Sequence, residues 1–134
     1  MLFSYSRTIR FADTDGAGVV YFAQIFSICH EAYEASLASQ GIDLRQFFRD
    51  PAIAFPIVHA EANFRQPMFC GDDILVTLQP QQLSPDSYEI KYEIHTQSQL
   101  VAQAQTKHVC INSQLRTRQE LPIYLYRWIQ ESTT

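Results

Sequence analysis

A single long helical pattern, from about Tyr21 to Gln40, is the feature that most constrains how this chain can fold. Apolar residues recur there at steps of three and four, and polar residues occupy the positions between them. Gly41 follows the pattern and is a typical helix stop. The helix is bulky enough for other elements to wrap around it. Its apolar positions are Phe22, Ile25, Phe26, Cys29, Ala32, Tyr33 and Leu37.

Most of the remaining chain has the alternating pattern of β-strands. One strand is predicted before the helix, over residues 2–12, although Arg7 interrupts its apolar face. Within the later strands, Pro80 predicts a sheet edge or a bulge because proline cannot donate to a neighbouring strand. The four later strands are predicted over residues 55–66, 74–83, 88–95 and 100–111.

Two shorter helical segments complete the prediction. One is expected between residues 42 and 54, and a terminal helix is expected over Ile123–Glu131, after Pro122. Consecutive strands joined by short turns pair in antiparallel fashion, and one long helix can cover one face of their sheet. The order of elements therefore predicts an α+β fold with about five strands. At 134 residues, the chain is expected to form one domain over residues 1–134.

Composition and charge argue against several classes of partner and cellular compartment. A net charge of −4, with Lys91 and Lys107 as the only lysines, argues against nucleic acid and against an anionic membrane surface. No apolar stretch is long enough to span a membrane, and the first residues lack the pattern of a secretory signal. The three cysteines form no CxxC pair, so we expect a reducing, cytoplasmic setting, with Cys29 and Cys110 as buried structural thiols.

The segment from Phe11 to Phe26 carries the strongest functional signal. Asp13 and Asp15 precede a Gly-Ala-Gly turn, and the long helix follows directly. A turn that enters a helix N-terminus presents unbonded backbone N–H groups and the positive end of the helix dipole. Such a site suits an anion, or an oxygen that becomes one during a reaction. A carboxylate beside it is suited to acyl transfer.

This segment also resembles a known family. The stretch DTDGAGVVYF, ahead of a long apolar helix and four strands, is similar to the 4-hydroxybenzoyl-CoA thioesterase family. The resemblance implies a hotdog fold, in which an antiparallel sheet of about five strands wraps around one long central helix. The family pattern D-x-D-x-x-G-(V/I)-V-x-(Y/H/F) is matched by Asp13, Asp15, Gly18, Val19, Val20 and Phe22.

The resemblance implies a role for individual residues. Asp15 falls on the catalytic aspartate, and the Phe22 backbone N–H falls on the group that polarises the thioester carbonyl. Gly18 is expected to set the loop geometry. Tyr21 and His59 are candidates for the substrate pocket, although a solvated strand face is an alternative for His59. Asp13 is expected to order the loop, and a capping role is the ordinary alternative for both aspartates.

The implied activity is hydrolysis of an aromatic acyl-CoA thioester. A branch that acts on short acyl esters has histidine where this chain has Phe22. That branch is therefore disfavoured. The chain also resembles the hydrolases of phylloquinone and menaquinone biosynthesis, and this resemblance favours the dihydroxynaphthoyl ester as the substrate. A broad aliphatic acyl-CoA or acyl-carrier-protein thioesterase is one alternative, and a noncatalytic acyl-CoA-binding protein is another. Asp15 could attack the carbonyl or activate water, and the sequence leaves both roles open.

The remaining expectations concern partners and other chemistries. The resemblance implies a homodimer or homotetramer, an acyl-CoA substrate and no cofactor. The four histidines lack metal-ligand spacing, and His30 with Glu34 forms an expected polar pair one helical turn apart. No G-x-S-x-G segment supports a serine hydrolase. Candidates for the CoA phosphates, each also explicable as a solvated surface charge, are Arg65, Lys91, Arg116 and Arg118.

Overall fold

The long helix predicted from the sequence is α1, Gln24–Ser39, in a computed structural model that describes residues 2–132. It begins three residues later than predicted, and the Tyr21 N–H before it donates to the Asp13 carbonyl oxygen at 2.9 Å. A short α2 covers Leu44–Phe47, and α3 covers Ile123–Ser132 after Pro122. Both shorter helices therefore form where the sequence predicts them.

The strands also match the predicted segments, with adjusted ends. The first strand stops at Thr8 rather than continuing to residue 12, because Phe11–Asp13 form a 3-10 turn. Two very short strands, β2 and β7, pair with each other outside the main sheet. The strands are β1 Phe3–Thr8, β2 Ile53–Ala54, β3 Ile57–Phe64, β4 Asp73–Ser84, β5 Ser87–Thr96, β6 Gln99–Val109 and β7 Ile111–Asn112.

The main sheet has five strands in the order β1-β4-β5-β6-β3, and every neighbouring pair is antiparallel. The predicted α+β class and strand number are confirmed. However, β3 and β4 are not neighbours, although they follow each other in the chain. The segment between them crosses from one side of the sheet to the other, so that β4 pairs with β1. Pro80 lies beyond Leu78, the last β4 residue recorded opposite β1, which agrees with the expected local edge.

The core lies between α1 and one face of the sheet. The helix buries a continuous stripe against the strands, and β5 contributes Tyr88, Ile90, Tyr92 and Ile94 from alternating positions. The terminal helix adds Leu125 and Trp128, and the Trp128 indole N–H donates to the Ser36 hydroxyl at 2.9 Å. The buried stripe of α1 consists of Ile25, Ile28, Cys29, Ala32, Tyr33, Ser36 and Leu37.

Strand β3 differs from the others because it is exposed along nearly its whole length. It forms one edge of the sheet and pairs only with β6 among the described strands. Its apolar side chains Val58 and Phe64 are 61% and 45% exposed. An exposed strand edge with exposed apolar groups is a surface on which another strand can pair. In residues 2–132, no helix has both the length and the apolar character needed to cross a membrane.

Candidate active site

The loop that carries Asp15 is a tight hairpin between residues 14 and 20. The Gly18 N–H donates to the Asp15 carbonyl oxygen, and the Asp15 N–H donates to the Val19 carbonyl oxygen, both at 3.0 Å. Gly18 has a φ of 82°, a left-handed conformation that costs a side-chain-bearing residue more than glycine. This combination is a three-residue hairpin turn, and it explains the glycine at position 18.

The side chain of Asp15 is exposed to solvent at the tip of this hairpin. One carboxylate oxygen, Oδ1, accepts a hydrogen bond from the Ala17 N–H at 2.9 Å. Across residues 2–132, the carboxylate makes no other hydrogen bond within the chain. The carboxylate is therefore oriented by its own loop and keeps Oδ2 available for a substrate or a water molecule.

The N-terminus of α1 supplies unbonded backbone donors close by in the chain. Its N-cap residue is Ala23, which has no side chain that could cap the helix. Within the described part of the chain, the Phe22 N–H donates to no protein acceptor. The Phe22 ring is 64% exposed and lies 4.7 Å from the Tyr21 ring. These donors, together with the helix dipole, can stabilise an oxygen that gains negative charge.

Asp15 and Phe22 lie on the wall of one surface cleft of about 400 Å³. The opposite wall comes from the end of β3 and the segment after it. Gly18 and Tyr21 belong to the same loop but do not line this cleft, and His59 lies further along β3, where it faces Glu61 at 3.1 Å. The cleft-lining residues are Asp15, Val19, Val20, Phe22, Phe64, Arg65, Gln66, Pro67 and Met68.

Asp13 has a very different environment from Asp15, because it is buried. Its carboxylate accepts hydrogen bonds from the Arg7 guanidinium, from the Arg10 backbone N–H at 2.8 Å and from Gln24 Nε2 at 3.1 Å. With all these partners inside the fold, its carboxylate ties the hairpin to β1 and to the first turn of α1. This agrees with the loop-ordering role predicted for Asp13.

A second cavity, of about 520 Å³, is lined on one side by the segment between residues 42 and 54. It lies along the middle of α1 and combines aromatic and aliphatic side chains, with His30, Glu34, Asp50 and Arg116 among the polar groups in its wall. The sequence signal was present in part, as the His30–Glu34 pair one helical turn apart. The aromatic wall comes from distant segments and could not be assembled from periodicity. It comprises Tyr33, Phe47, Phe48, Phe55 and His108.

The two histidines that line this cavity both have lowered pKa values. Burial, with a smaller contribution from the nearby His30, lowers the pKa of His108 to about 4, although a hydrogen bond with the Phe55 backbone opposes this shift. Burial also lowers the pKa of His30, although the charge of Glu34 opposes this shift. Partial or full burial disfavours protonation of an imidazole because the charged form loses hydration. At neutral pH the cavity therefore presents uncharged imidazoles.

The four candidate basic residues divide into two groups. Arg65 lines the Asp15 cleft and donates to Gln103 Oε1 at 2.8 Å, while Arg116 lines the aromatic cavity. Lys91 lies 3.6 Å from Glu89, and Arg118 forms a bidentate pair with Asp86. The structure therefore brings Arg65 and Arg116 to the two cavities and holds the other two against carboxylates elsewhere.

Proteins similar to this chain in sequence and fold include thioesterases. Residues 9–129 match the thioesterase-like superfamily. A 1,4-dihydroxy-2-naphthoyl-CoA hydrolase from Rippkaea orientalis is 52% identical over 96% of this chain and 95% of its own length. The corresponding hydrolase from Nostoc punctiforme is 51% identical, over 97% and 88%. The crystal structure of a 1,4-dihydroxy-2-naphthoyl-CoA thioesterase from Synechocystis is 42% identical and superposes with a TM-score of 0.92, covering 98% of this chain and 97% of that one.

Proposed function

This chain belongs to the thioesterase-like superfamily, and we propose that it hydrolyses 1,4-dihydroxy-2-naphthoyl-CoA to 1,4-dihydroxy-2-naphthoate and CoA. The hotdog fold and the family resemblance read from the sequence are both confirmed. Relatives about half identical over nearly the full chain carry this activity in their names. The observation that carries the proposal is the cleft itself, which places an exposed carboxylate and an unbonded backbone N–H together, as hydrolysis of a thioester requires.

We propose that Asp15 is the catalytic carboxylate and that the Phe22 N–H binds the thioester oxygen. The Phe22 donor is unbonded in the described chain and lines the same cleft as Asp15. Attack on the carbonyl carbon gives a tetrahedral oxyanion that this donor stabilises. Collapse breaks the carbon–sulfur bond, and the CoA thiolate leaves and takes a proton from water. Gly18 keeps the hairpin closed around the carboxylate.

Two routes for the attack are chemically available. In one, Asp15 attacks the carbonyl and forms an anhydride, which water then hydrolyses. In the other, Asp15 removes a proton from the water that attacks. Repeated turnover in water labelled with heavy oxygen separates them. Label recovered in the Asp15 side chain by peptide mass spectrometry would establish the anhydride route.

We infer that the protein acts as a homodimer formed by two β3 edges, with a tetramer as a further assembly. If two β3 strands pair in antiparallel fashion about a two-fold axis, Phe64 of each strand lies towards Ile57 of the other. Phe64 lines the Asp15 cleft and Ile57 lines the aromatic cavity. Each Asp15 cleft would then adjoin the aromatic cavity of the partner, which supplies a complete site for a bicyclic aryl thioester.

The aromatic cavity is the proposed seat of the naphthoyl ring. Its Phe and Tyr walls match a flat apolar ring, and the polar groups His30, Glu34 and Arg116 can meet ring hydroxyls. Tyr21 and His59 are proposed to contact the substrate at the entrance of the combined site. Tyr21 is exposed beside the Asp15 hairpin, and His59 is exposed on β3. Arg65 is proposed to meet a CoA phosphate, since it borders the cleft that holds Asp15.

We infer that the enzyme works in the cytoplasm. Cys29, Cys70 and Cys110 are all free thiols, two of them buried, and burial raises the pKa of Cys29 to about 12. Free thiols in this number suit a reducing compartment.

The test is hydrolysis by the purified protein of dihydroxynaphthoyl, benzoyl, short-chain and long-chain acyl-CoA esters. Asp15→Asn is expected to lower kcat by about 10²- to 10⁴-fold for the dihydroxynaphthoyl ester. Asp73→Asn, which removes an exposed carboxylate that accepts a hydrogen bond from Thr8, is the matched control and should retain activity. Preference for a long-chain ester would favour an aliphatic thioesterase. Binding of CoA esters without turnover would favour a noncatalytic protein.

A further inference from the structure

Arg7 is the charged residue that interrupts the apolar face of β1, and it is surrounded by hydrogen-bond acceptors. Its guanidinium contacts two carboxylates: Nη2 donates to Asp13, and Nη1 donates to Glu31 at 3.1 Å. The side chains of Arg7 and Asp13 are only 7% and 4% exposed, whereas Glu31 is 35% exposed. The Tyr5 hydroxyl completes the group by donating to Glu31 at 2.8 Å. We call Arg7, Asp13 and Glu31 the Arg7 clamp.

A buried ion pair of this kind contributes little net stability. Removing two charges from water costs about as much as their attraction returns, so an apolar pair of similar volume would serve a fold as well or better. A buried guanidinium instead fixes the orientation of the groups that it binds. Its planar fork fixes two acceptors at once, which a lysine ammonium cannot do. The Arg7 clamp therefore determines where Asp13 lies relative to β1 and α1.

The position of Asp13 in turn determines the position of both proposed catalytic groups. Asp15 follows Asp13 by two residues, at the start of the hairpin. The Tyr21 N–H donates to the Asp13 carbonyl oxygen at 2.9 Å, and Phe22 is the next residue. The Asp13 carboxylate also holds Gln24, the first residue of α1, at 3.1 Å. One buried residue thus joins the carboxylate side of the site to the backbone-donor side.

We propose that Arg7 is a positioning residue for thioester hydrolysis, which it serves by fixing the hairpin that carries Asp15 against the Phe22 end of α1. This inference rests on the proposed function. Arg7 does not line the Asp15 cleft, so it acts through Asp13 rather than on the substrate. Glu31 orients the guanidinium from the opposite side. The expected effect of a disturbed clamp is on kcat, because substrate and CoA contacts lie elsewhere.

The test compares Arg7→Lys with the wild type. Lysine keeps the charge that neutralises Asp13 but cannot hold both carboxylates in fixed directions. We expect kcat to fall by about 10- to 100-fold, because small displacements of reacting groups have effects of this size. KM and the dissociation constant for CoA should each stay within about twofold. Arg45→Lys makes the same substitution at an exposed position of α2, outside both cavities, and should leave kcat unchanged.

A second readout does not depend on catalysis. Amide hydrogen exchange followed by mass spectrometry should show faster exchange in peptides covering residues 13–23 of Arg7→Lys, with α3 unchanged. Both effects together support the inference. An unchanged kcat, or a lowered kcat without faster exchange in the hairpin, overturns it. Failure of the wild type to hydrolyse any ester would instead overturn the proposed function, and the exchange data would still report whether the clamp orders the loop.

Discussion

The hydroxyl of Tyr33 on α1 lies 2.5 Å from the hydroxyl of Tyr88 on β5, in the buried layer between helix and sheet. Burial raises the pKa of both hydroxyls, so both stay protonated and one donates to the other. The Tyr88 ring also stacks on His108 with a centroid separation of 4.7 Å. This hydrogen bond joins the central helix to the middle of the sheet beside the aromatic cavity.

Replacing Tyr88 with phenylalanine should destabilise the fold by about 1–3 kcal/mol, because the Tyr33 hydroxyl is left buried without its partner. The double variant Tyr33→Phe/Tyr88→Phe should lose less than the sum of the two single variants. Urea unfolding of the four proteins measures both effects. Tyr126→Phe, on the exposed side of α3, is the control and should stay within about 0.5 kcal/mol of wild type. Additive losses in the double variant would contradict the coupling.

Two substitutions at Phe22 should distinguish the catalytic role of its backbone N–H from that of its side chain. Phe22→Pro lacks the N–H and should lower kcat by about 10²- to 10³-fold, the usual effect of losing one oxyanion donor. The fold loses no hydrogen bond, because this N–H has no acceptor in residues 2–132. Phe22→Leu keeps the donor and should retain kcat within about tenfold. Equal losses of kcat in two folded variants would assign the effect to the ring instead.

The glycines of the hairpin should respond differently to alanine. A Cβ at Gly18 meets no atom within 4 Å, so the left-handed φ of 82° is the whole cost of Gly18→Ala, about 1–2 kcal/mol. Gly16 also has open space but lacks a positive φ, and Gly16→Ala should leave stability unchanged or raise it by about 0.4–1 kcal/mol. Thermal unfolding compares the two. A similar loss in both variants would mean that crowding, rather than backbone conformation, governs this turn.

Stability should depend on pH through His108. Its pKa is lowered to about 4 in the fold, whereas an imidazole in the unfolded chain titrates near about 6.5. The unfolded chain therefore binds a proton first as pH falls. The contribution of His108 is complete above about pH 6.5 and declines towards pH 4, by a total of about 3 kcal/mol. The difference in unfolding free energy between wild type and His108→Gln should follow this profile. Parallel pH curves would contradict it.

The periodicity of apolar residues predicted which face of a strand is buried, but not which strands pair with each other in the sheet. The alternation in β5 placed Tyr88, Ile90, Tyr92 and Ile94 on one side, and all four are buried. The same reasoning could not show that the chain crosses the sheet between β3 and β4, because side-chain alternation carries no information about which strand lies alongside. Local pattern likewise located the loop of Asp15 but not the distant Phe64 that faces it across the cleft.

Arg7 illustrates the same limit at the level of one residue. In the sequence it is a break in an apolar face. In the structure it contacts Asp13, six positions away, and Glu31, on the next element. A buried arginine can be interpreted only when its partners are known. The full wall of the aromatic cavity could not be assembled from the sequence for a related reason, since it combines residues from α1, α2 and β6.

The crossing between β3 and β4 also determines when the hairpin of Asp15 can become ordered during folding. The Val20 N–H donates to the Met68 carbonyl oxygen at 2.9 Å, and the Ile9 N–H donates to that of Asp72 at 2.8 Å. Both acceptors lie in the crossing segment, far along the chain. Long-range contacts of this kind form slowly, because a large loop must close before they are made. A nascent chain that ends at α1 lacks both acceptors, so the site is completed only after the segment leading into β4 has been synthesised.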